Sequence, residues 1–253
     1  MPLSDTLDTP GPMARSVLDL ALMFAVLSGV SSVDINHNMT ETDGLFDSKL
    51  SILKSLKLEV FDSAERQVCS ANMLASYDAA LDLLEPLGAE LETFKAPAPY
   101  HEMADANGAI TIYEGYLHHH AMYEDPRKRI DPHVRKRMLI GRNMTAKNHL
   151  ERLQKRKSDQ TNFAMAMESF DGLLPPALTA PAPKLDDINE DISPGHFTRP
   201  FNYIDMCALA LPMAPNQSGL PTSLQIVAPA GQEAFTLKLG IALETVLNLY
   251  SFA

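Results

Sequence analysis

The side chains best suited to ligate a metal lie in one predicted helix, over residues 107–123. It carries Glu114 and three consecutive histidines, of which His118 follows the glutamate by one helical turn. Adjacent histidines on a helix point about 100° apart, and the chain has no His-Glu-x-x-His motif. The pattern therefore favours histidines at the surface or lining a pocket, with a metal site as the alternative.

A thiol nucleophile is a second possible chemistry. Cys69 or Cys207 could react if a histidine lay beside it, but neither sits in a recognisable nucleophile motif. A free cysteine is most often a small buried hydrophobic residue, which is the interpretation we favour. Two cysteines do not make a disulfide framework, so we expect a reduced, cytoplasmic setting.

Residues 127–157 form the most basic stretch. They hold twelve of the 21 lysines and arginines, with only Asp131 and Glu151 as acids. Such a run can bind RNA or an acidic partner, but few aromatic residues interleave it, which favours a solvated helical face. The whole chain carries a net charge of −11, which argues against nucleic acid or an anionic membrane as a partner.

A stiff loop opens the chain and leads into an apolar helix. Pro10-Gly11-Pro12 fixes a sharp turn, and Ser16 with Asp19 has the spacing of a helix N-cap. Residues 17–27 are apolar on nearly every side, so we expect this helix to be buried and to end at Gly29. We expect Met1 to begin inside a larger fold.

The remaining periodicity predicts an α/β layered fold. A strand within residues 50–61, helical spacing over 63–87 and a strand over 89–94 follow one another, and a buried strand over 171–177 comes later. An alternating strand at 223–227 precedes a final helix from about Glu233. The 253 residues, 45% of them apolar, are predicted to form one domain over residues 1–253. No apolar run approaches the roughly 20 residues of a membrane span.

Several motifs, in this order, resemble the amidase signature family. They are Thr6-Leu7-Asp8-Thr9-Pro10-Gly11-Pro12-Met13-Ala14-Arg15, Leu87-Gly88-Ala89-Glu90, Phe197-Thr198-Arg199-Pro200-Phe201-Asn202, Leu211-Pro212 and Gly219-Leu220-Pro221. The resemblance covers essentially the whole chain. It implies a mixed β-sheet flanked by helices, similar to the C-terminal half of the amidase signature fold.

The family hydrolyses amide C–N bonds with two serines and a lysine, without a metal or organic cofactor. The lysine acts through a bridging serine, and a Gly/Ser-rich segment supplies the oxyanion hole. This sequence has no such segment. Its one Ser-Ser pair, Ser31-Ser32, lies in a polar stretch without flanking glycine pairs and is predicted to be a solvated loop. The resemblance thus places the catalytic residues outside this chain and predicts that the chain alone is inactive.

The first motif implies three supporting residues. Asp8 and Thr9 would lie in a turn near the catalytic centre, and Arg15 would brace that turn. Ordinary packing or salt bridging is the alternative for each of them.

Three later residues receive pocket roles from the same resemblance. Arg137 lies in a region that meets the polar end of the substrate in related glutamine-using enzymes, and Phe197 and Asn202 would form the pocket rim. The sequence also departs from the family, because Asp205 stands where a glycine is usual and Ser223 replaces another glycine. Loss of these glycines is expected to lower stability or shift the backbone.

A non-catalytic binding module is the competing interpretation. Half of a continuous sheet would expose a strand edge and an apolar face, both prone to association. The expected partners are a separately encoded N-terminal half, another protein or a second copy of the chain. RNA binding through residues 127–157 is a weaker third interpretation.

Overall fold

The computed structural model describes residues 2–29, 51–54, 56–190 and 192–251. The predicted polar loop over residues 30–47, with Ser31-Ser32, lies outside these ranges. The chain separates into two compact units. We call Met1–Thr9, Ala96–Ala166 and Pro183–Asp205 the helical unit, and Pro10–Lys95, Met167–Ala182 and Met206–Ala253 the sheet unit. A single domain over the whole chain stays a prediction.

Helices and strands alternate along the described chain. The α-helices are α1 (Val17–Leu27), α2 (Ser63–Gln67), α3 (Ala71–Leu81), α4 (Tyr100–Glu124), α5 (Pro132–Leu139), α6 (Ala146–Ala166), α7 (Arg199–Tyr203) and α8 (Glu233–Ser251). The strands are β1 (Lys57–Phe61), β2 (Glu90–Phe94), β3 (Gly172–Leu173), β4 (Met206–Met213) and β5 (Thr222–Pro229). Short 3₁₀ helices cover Ser51–Leu53, Glu85–Leu87, Ile140–Asn143 and Leu185–Asp187.

The sheet unit is built on one mixed sheet with the strand order β2-β1-β3-β5-β4. Strand β1 runs parallel to β2 and β3, whereas β5 pairs antiparallel with β3 and β4. Helices α3 and α8 pack against β4 and β5, and α1 packs against α8. The predicted α/β class, with a mixed sheet flanked by helices, is confirmed.

Apolar side chains on one face of the sheet make the core. In β4, the buried Leu209, Leu211 and Met213 alternate with exposed residues, as expected for a strand with one buried face. Strand β5 is buried along most of its length and supplies Leu224 and Ile226 to the same cluster. The two-residue strand β3 joins the parallel and antiparallel parts of the sheet.

One buried acid interrupts this apolar surrounding. Glu59 in β1 is fully buried, and neither of its carboxyl oxygens has a hydrogen-bond partner in the described structure. Its register neighbour on β2 is Glu92, which is half exposed and pairs with Lys57. Desolvation, and next the nearby Glu92 charge, raise the pKa of Glu59 to about 9.

The bounds and cap of α1 agree with the prediction, but its predicted burial is wrong. Ser16 Oγ accepts a hydrogen bond from Asp19 N at 3.1 Å, and Gly29 has a φ of 73°. Only Val17 is buried, whereas Val26 is 67% exposed. A helix that is apolar all round buries only the side that meets a neighbour, and here that neighbour is α8.

The helical unit centres on α4, which packs against α5, α6 and α7. Part of the basic stretch is used within this unit. Arg135 donates to the carbonyl oxygens of Asp125 at 3.0 Å and Lys128 at 2.6 Å, just beyond the end of α4. Arg142 Nε pairs with Glu124 at 2.8 Å. Among the described residues, no helix is both long and apolar enough to cross a membrane.

The two sites of glycine loss differ in backbone conformation. Asp205 has a φ of 64°, and it is the one non-glycine residue with positive φ in the described ranges. Ser223 lies within β5 and is not in that region. The expectation of a strained backbone therefore fits Asp205, because a side chain there costs about 1 kcal/mol relative to glycine.

We expect Asp205→Gly to stabilise the protein by up to about 1 kcal/mol, since glycine reaches positive φ without steric cost. Ser223→Gly is the matched control and should destabilise by about 0.5–1 kcal/mol, because it loosens a regular strand. Urea denaturation followed by circular dichroism measures both. A loss of stability in Asp205→Gly would contradict the strain assigned to this residue.

Candidate functional site

The N-terminal strap, which we define as residues 2–9, is fastened to α4 by a buried carboxylate. Ser4 Oγ donates to Glu114 Oε2, and Thr6 N donates to the same oxygen at 3.1 Å. Thr6 Oγ1 donates to Glu114 Oε1 at 2.5 Å. Loop residues far away in sequence are thus held by one side chain of α4.

Helix α6 adds an imidazole to this group. His149 Nε2 lies 3.2 Å from Glu114 Oε1, and the ring stacks on Tyr113 with centroids 4.4 Å apart. Burial acts to raise the pKa of Glu114, but hydrogen bonds from Ser4 and Thr6 and the nearby His149 outweigh it. The resulting pKa lies below the ordinary value, so Glu114 is a carboxylate at neutral pH.

The histidine run also contacts the strap. His118 Nε2 lies 3.1 Å from Asp5 Oδ2, and His119 Nε2 lies 2.6 Å from Pro2 O. Because a carbonyl oxygen only accepts, His119 carries its proton on Nε2. Glu114 and His118 therefore face different partners. Within the described ranges, no cluster of three or more His, Cys, Asp or Glu side chains could hold a metal ion.

The far end of the strap meets α7 through asparagine side chains. Asn202 Nδ2 donates to Leu7 O at 2.9 Å and lies 3.4 Å from Thr9 Oγ1. Asn107 of α4 donates to Asn202 Oδ1 at 2.7 Å. Asp8 Oδ2 accepts from Leu3 N at 2.7 Å, and this bond is the leading cause of its lowered pKa.

Two of the six predicted site residues are hydrogen-bonded together, namely Thr9 and Asn202, and Asp8 is next to Thr9 in the strap. Phe197 is fully buried and packs edge-on against Tyr100, with ring centroids 6.1 Å apart. Arg15 is exposed and belongs to the sheet unit. The roles of these residues at a pocket stay predictions.

Arg137, the remaining predicted residue, is exposed on α5. It lies close enough to Arg199 for its charge to affect that group. Desolvation first, and then the Arg137 charge, lower the pKa of Arg199, while Asp105 acts in the opposite direction. The helical unit therefore has a positive region around these two guanidinium groups.

The sequence interpretation missed most members of the Glu114 group. Glu114 was considered only as a metal ligand, and Ser4, Thr6 and His149 were not considered. Ser4 and Thr6 lie 110 and 108 residues from their partner, so no local spacing indicates the contact. The clearest signal available was a glutamate in an otherwise apolar stretch of α4.

Neither cysteine is poised as a nucleophile. Desolvation leads the causes that raise the pKa of Cys69 to about 11, and burial likewise raises the pKa of Cys207. Both thiols are half-buried and remain protonated at neutral pH, whereas the thiolate is the reactive form. This environment favours the structural interpretation of both residues.

Comparison with known proteins decides the family. The sequence model of the amidase family matches residues 1–237. The chain belongs to the amidase family. Among curated amidase-family relatives, 2-amino-5-chloromuconic acid deaminase of Comamonas testosteroni is 27% identical over 98% of this chain and 53% of its own length. The A-type polypeptide of glutamyl-tRNA(Gln) amidotransferase from Synechococcus sp. (strain JA-3-3Ab) is 27% identical over 95% of this chain and 52% of its own length.

Solved structures of the amidase family share the fold. The crystal structure of an amidase superposes with a TM-score of 0.81 at 23% identity, over 98% of this chain and 55% of that one. At this identity the likeness shows the fold alone. The chain spans about half the length of the curated amidase-family relatives it matches.

Proposed function

We propose that this chain is part of an amidase-type hydrolase that cleaves a linear amide by a Ser-Ser-Lys mechanism. The observation that carries the proposal is the family match over residues 1–237. The catalytic serines and lysine would lie outside these 253 residues, because the sequence has no Gly/Ser-rich segment to provide them. The chain alone would then be inactive, and it would represent the C-terminal portion of the fold.

In this proposal the chain supplies pocket wall and support. Asp8, Thr9 and Asn202 would border the substrate, since Thr9 and Asn202 already meet through a hydrogen bond. Arg137 would attract the polar end of the substrate, and the neighbouring Arg199 strengthens the positive potential there. Phe197 would support the rim from beneath, and Arg15 would brace the loop that follows the strap. No metal or organic cofactor is needed, and a cytoplasmic location accompanies the proposal.

An activity assay on the purified chain tests this proposal. We expect no ammonia release from acetamide, benzamide or glutamine, and no labelling by a fluorophosphonate probe, which reacts with activated serines. A complete amidase-family enzyme serves as the positive control. Turnover that copurifies with the chain, together with labelling of one of its serines, would overturn the proposal.

The alternative function is a binding module that pairs with a complementary N-terminal half. It is favoured by the exposed apolar side chains of α1, where Met23, Val26 and Leu27 are 44%, 67% and 62% exposed. Its occupant would be a polypeptide of about the length that the relatives have beyond this chain. Light scattering after size exclusion should then show a complex with that half. A homodimer would replace the occupant, and a monomer that ignores the added half would reject this function.

A further inference from the structure

We propose that Glu114 is a positioning residue, whose carboxylate fixes the N-terminal strap on α4 and thereby sets the contact between Thr9 and Asn202. The inference rests on the proposed function only in placing Thr9 and Asn202 at a substrate pocket. The mechanical relation between the three residues depends on the geometry of the helical unit alone.

The Glu114 carboxylate is surrounded by donors. Oε2 accepts from Ser4 Oγ and Thr6 N, while Oε1 accepts from Thr6 Oγ1 and faces His149 Nε2. The side chain is 6% exposed, so water cannot readily replace these partners. Charge-assisted hydrogen bonds are stronger than neutral ones, which makes this carboxylate a firm anchor. A glutamine amide would direct N–H groups towards donors on one side.

Ser4 transmits the anchor to the rest of the strap. Its hydroxyl accepts from Leu7 N at 3.1 Å while donating to Glu114, and its carbonyl oxygen accepts from Asp8 N at 3.0 Å. Leu7 O in turn accepts from Asn202 Nδ2 at 2.9 Å. Displacing Ser4 therefore displaces the carbonyl that holds Asn202, and with it the Thr9 hydroxyl.

The other contacts of the strap are more exposed and less able to fix it. Asp5, which pairs with His118, is 74% exposed on its side chain. Exposed ion pairs contribute little because water and salt screen them. Gly115 contributes shape rather than bonding, since a methyl group there would lie 2.7 Å from Leu3 Cδ1. The polar hold on the strap is thus concentrated at Glu114.

Amide hydrogen exchange on the full chain tests the proposal. In Glu114→Gln, exchange at Thr6, Leu7 and Asp8 should be about tenfold faster or more, because their acceptors are lost or displaced. In Asp5→Asn, the matched control, the same amides should change by less than about threefold. Exchange within the interior of α4 should stay unchanged in both variants. A uniform increase across the helical unit in Glu114→Gln would mean a purely structural role and would overturn the proposal.

A second variant and readout guard against misfolding of Glu114→Gln. Thr6→Val keeps the side-chain shape and removes one donor to Glu114, so it should accelerate strap exchange by a smaller factor. The side-chain amide signal of Asn202 in ¹⁵N NMR should shift in Glu114→Gln or Thr6→Val and stay in place in Asp5→Asn. Unchanged exchange and an unshifted Asn202 signal in both anchor variants would overturn the proposal. Neither readout uses turnover, so a failed amidase assay and a failed anchor are distinguishable.

Discussion

Replacing Glu59 with glutamine should stabilise the protein at neutral pH by about 2–3 kcal/mol and flatten its stability at alkaline pH. Burial and Glu92 raise the pKa of Glu59 from 4.5 to about 9. Between these values the folded chain keeps a proton that the unfolded chain has released, so wild-type stability falls as pH rises. Each pH unit above 4.5 costs about 1.4 kcal/mol, which reaches about 3 kcal/mol at pH 7. Glutamine has no proton to lose and escapes this cost.

Urea denaturation at pH 5, 7 and 9 measures the effect for wild type and Glu59→Gln. Circular dichroism is the suitable probe, because the chain contains no tryptophan. Glu92→Gln is the matched control, since Glu92 is the register neighbour on β2 but is half exposed and ion-paired. It should change stability by less than about 1 kcal/mol. Equal pH slopes for wild type and Glu59→Gln would show that Glu59 is ionised in the folded protein.

Replacing Gly141 with alanine should destabilise the protein by about 2–3 kcal/mol. A methyl group at this residue would lie 2.4 Å from Tyr116 Cβ and 2.8 Å from Ile112 O, both on α4. These atoms belong to or adjoin the backbone of the helix at the centre of its unit, so they cannot move aside without shifting α4. Overpacking of this kind costs about 1–3 kcal/mol, and the rigid neighbour places Gly141 at the upper end.

Gly108→Ala provides the comparison within the same unit. It lies inside α4, and its added methyl group would be 3.5 Å from Arg199 Nη1, an ordinary contact. Because alanine favours the helix, this variant should gain up to about 1 kcal/mol. Thermal and urea denaturation of the two variants should therefore move in opposite directions. If Gly141→Ala were as stable as wild type, α5 and its following turn would not pack tightly on α4.

Local patterns predicted the elements of this protein better than their surroundings. Strand β5 and helix α8 follow from alternation and helical spacing, and the cap at Ser16 follows from a three-residue pattern. The helix predicted over residues 63–87 is instead broken, because Ser70 caps a new helix by accepting from Met73 N at 3.2 Å.

Burial and the candidate site depended on contacts that sequence spacing does not contain. Periodicity could not reveal that α8 covers only one side of α1. The predicted site contained Thr9 and Asn202, which the structure brings together, but not Ser4 or His149. Glu114 attracted notice as a ligand among histidines, whereas its partners are hydroxyl groups more than a hundred residues away. Residue type indicated chemistry here, and the fold determined its use.

The two-residue length of β3 constrains the order in which the sheet can assemble. On one side of it, β1 and β2 enclose α2 and α3 in a continuous stretch of chain, and on the other side β4 and β5 are adjacent antiparallel strands followed by α8. Each part can form from contacts close in sequence, which is fast because little loop entropy is lost. Strand β3 comes from between them in sequence and offers few hydrogen bonds of its own, so it gains stability only once both neighbours exist. We infer that Gly172–Leu173 joins late and converts two local folding nuclei into one cooperative sheet.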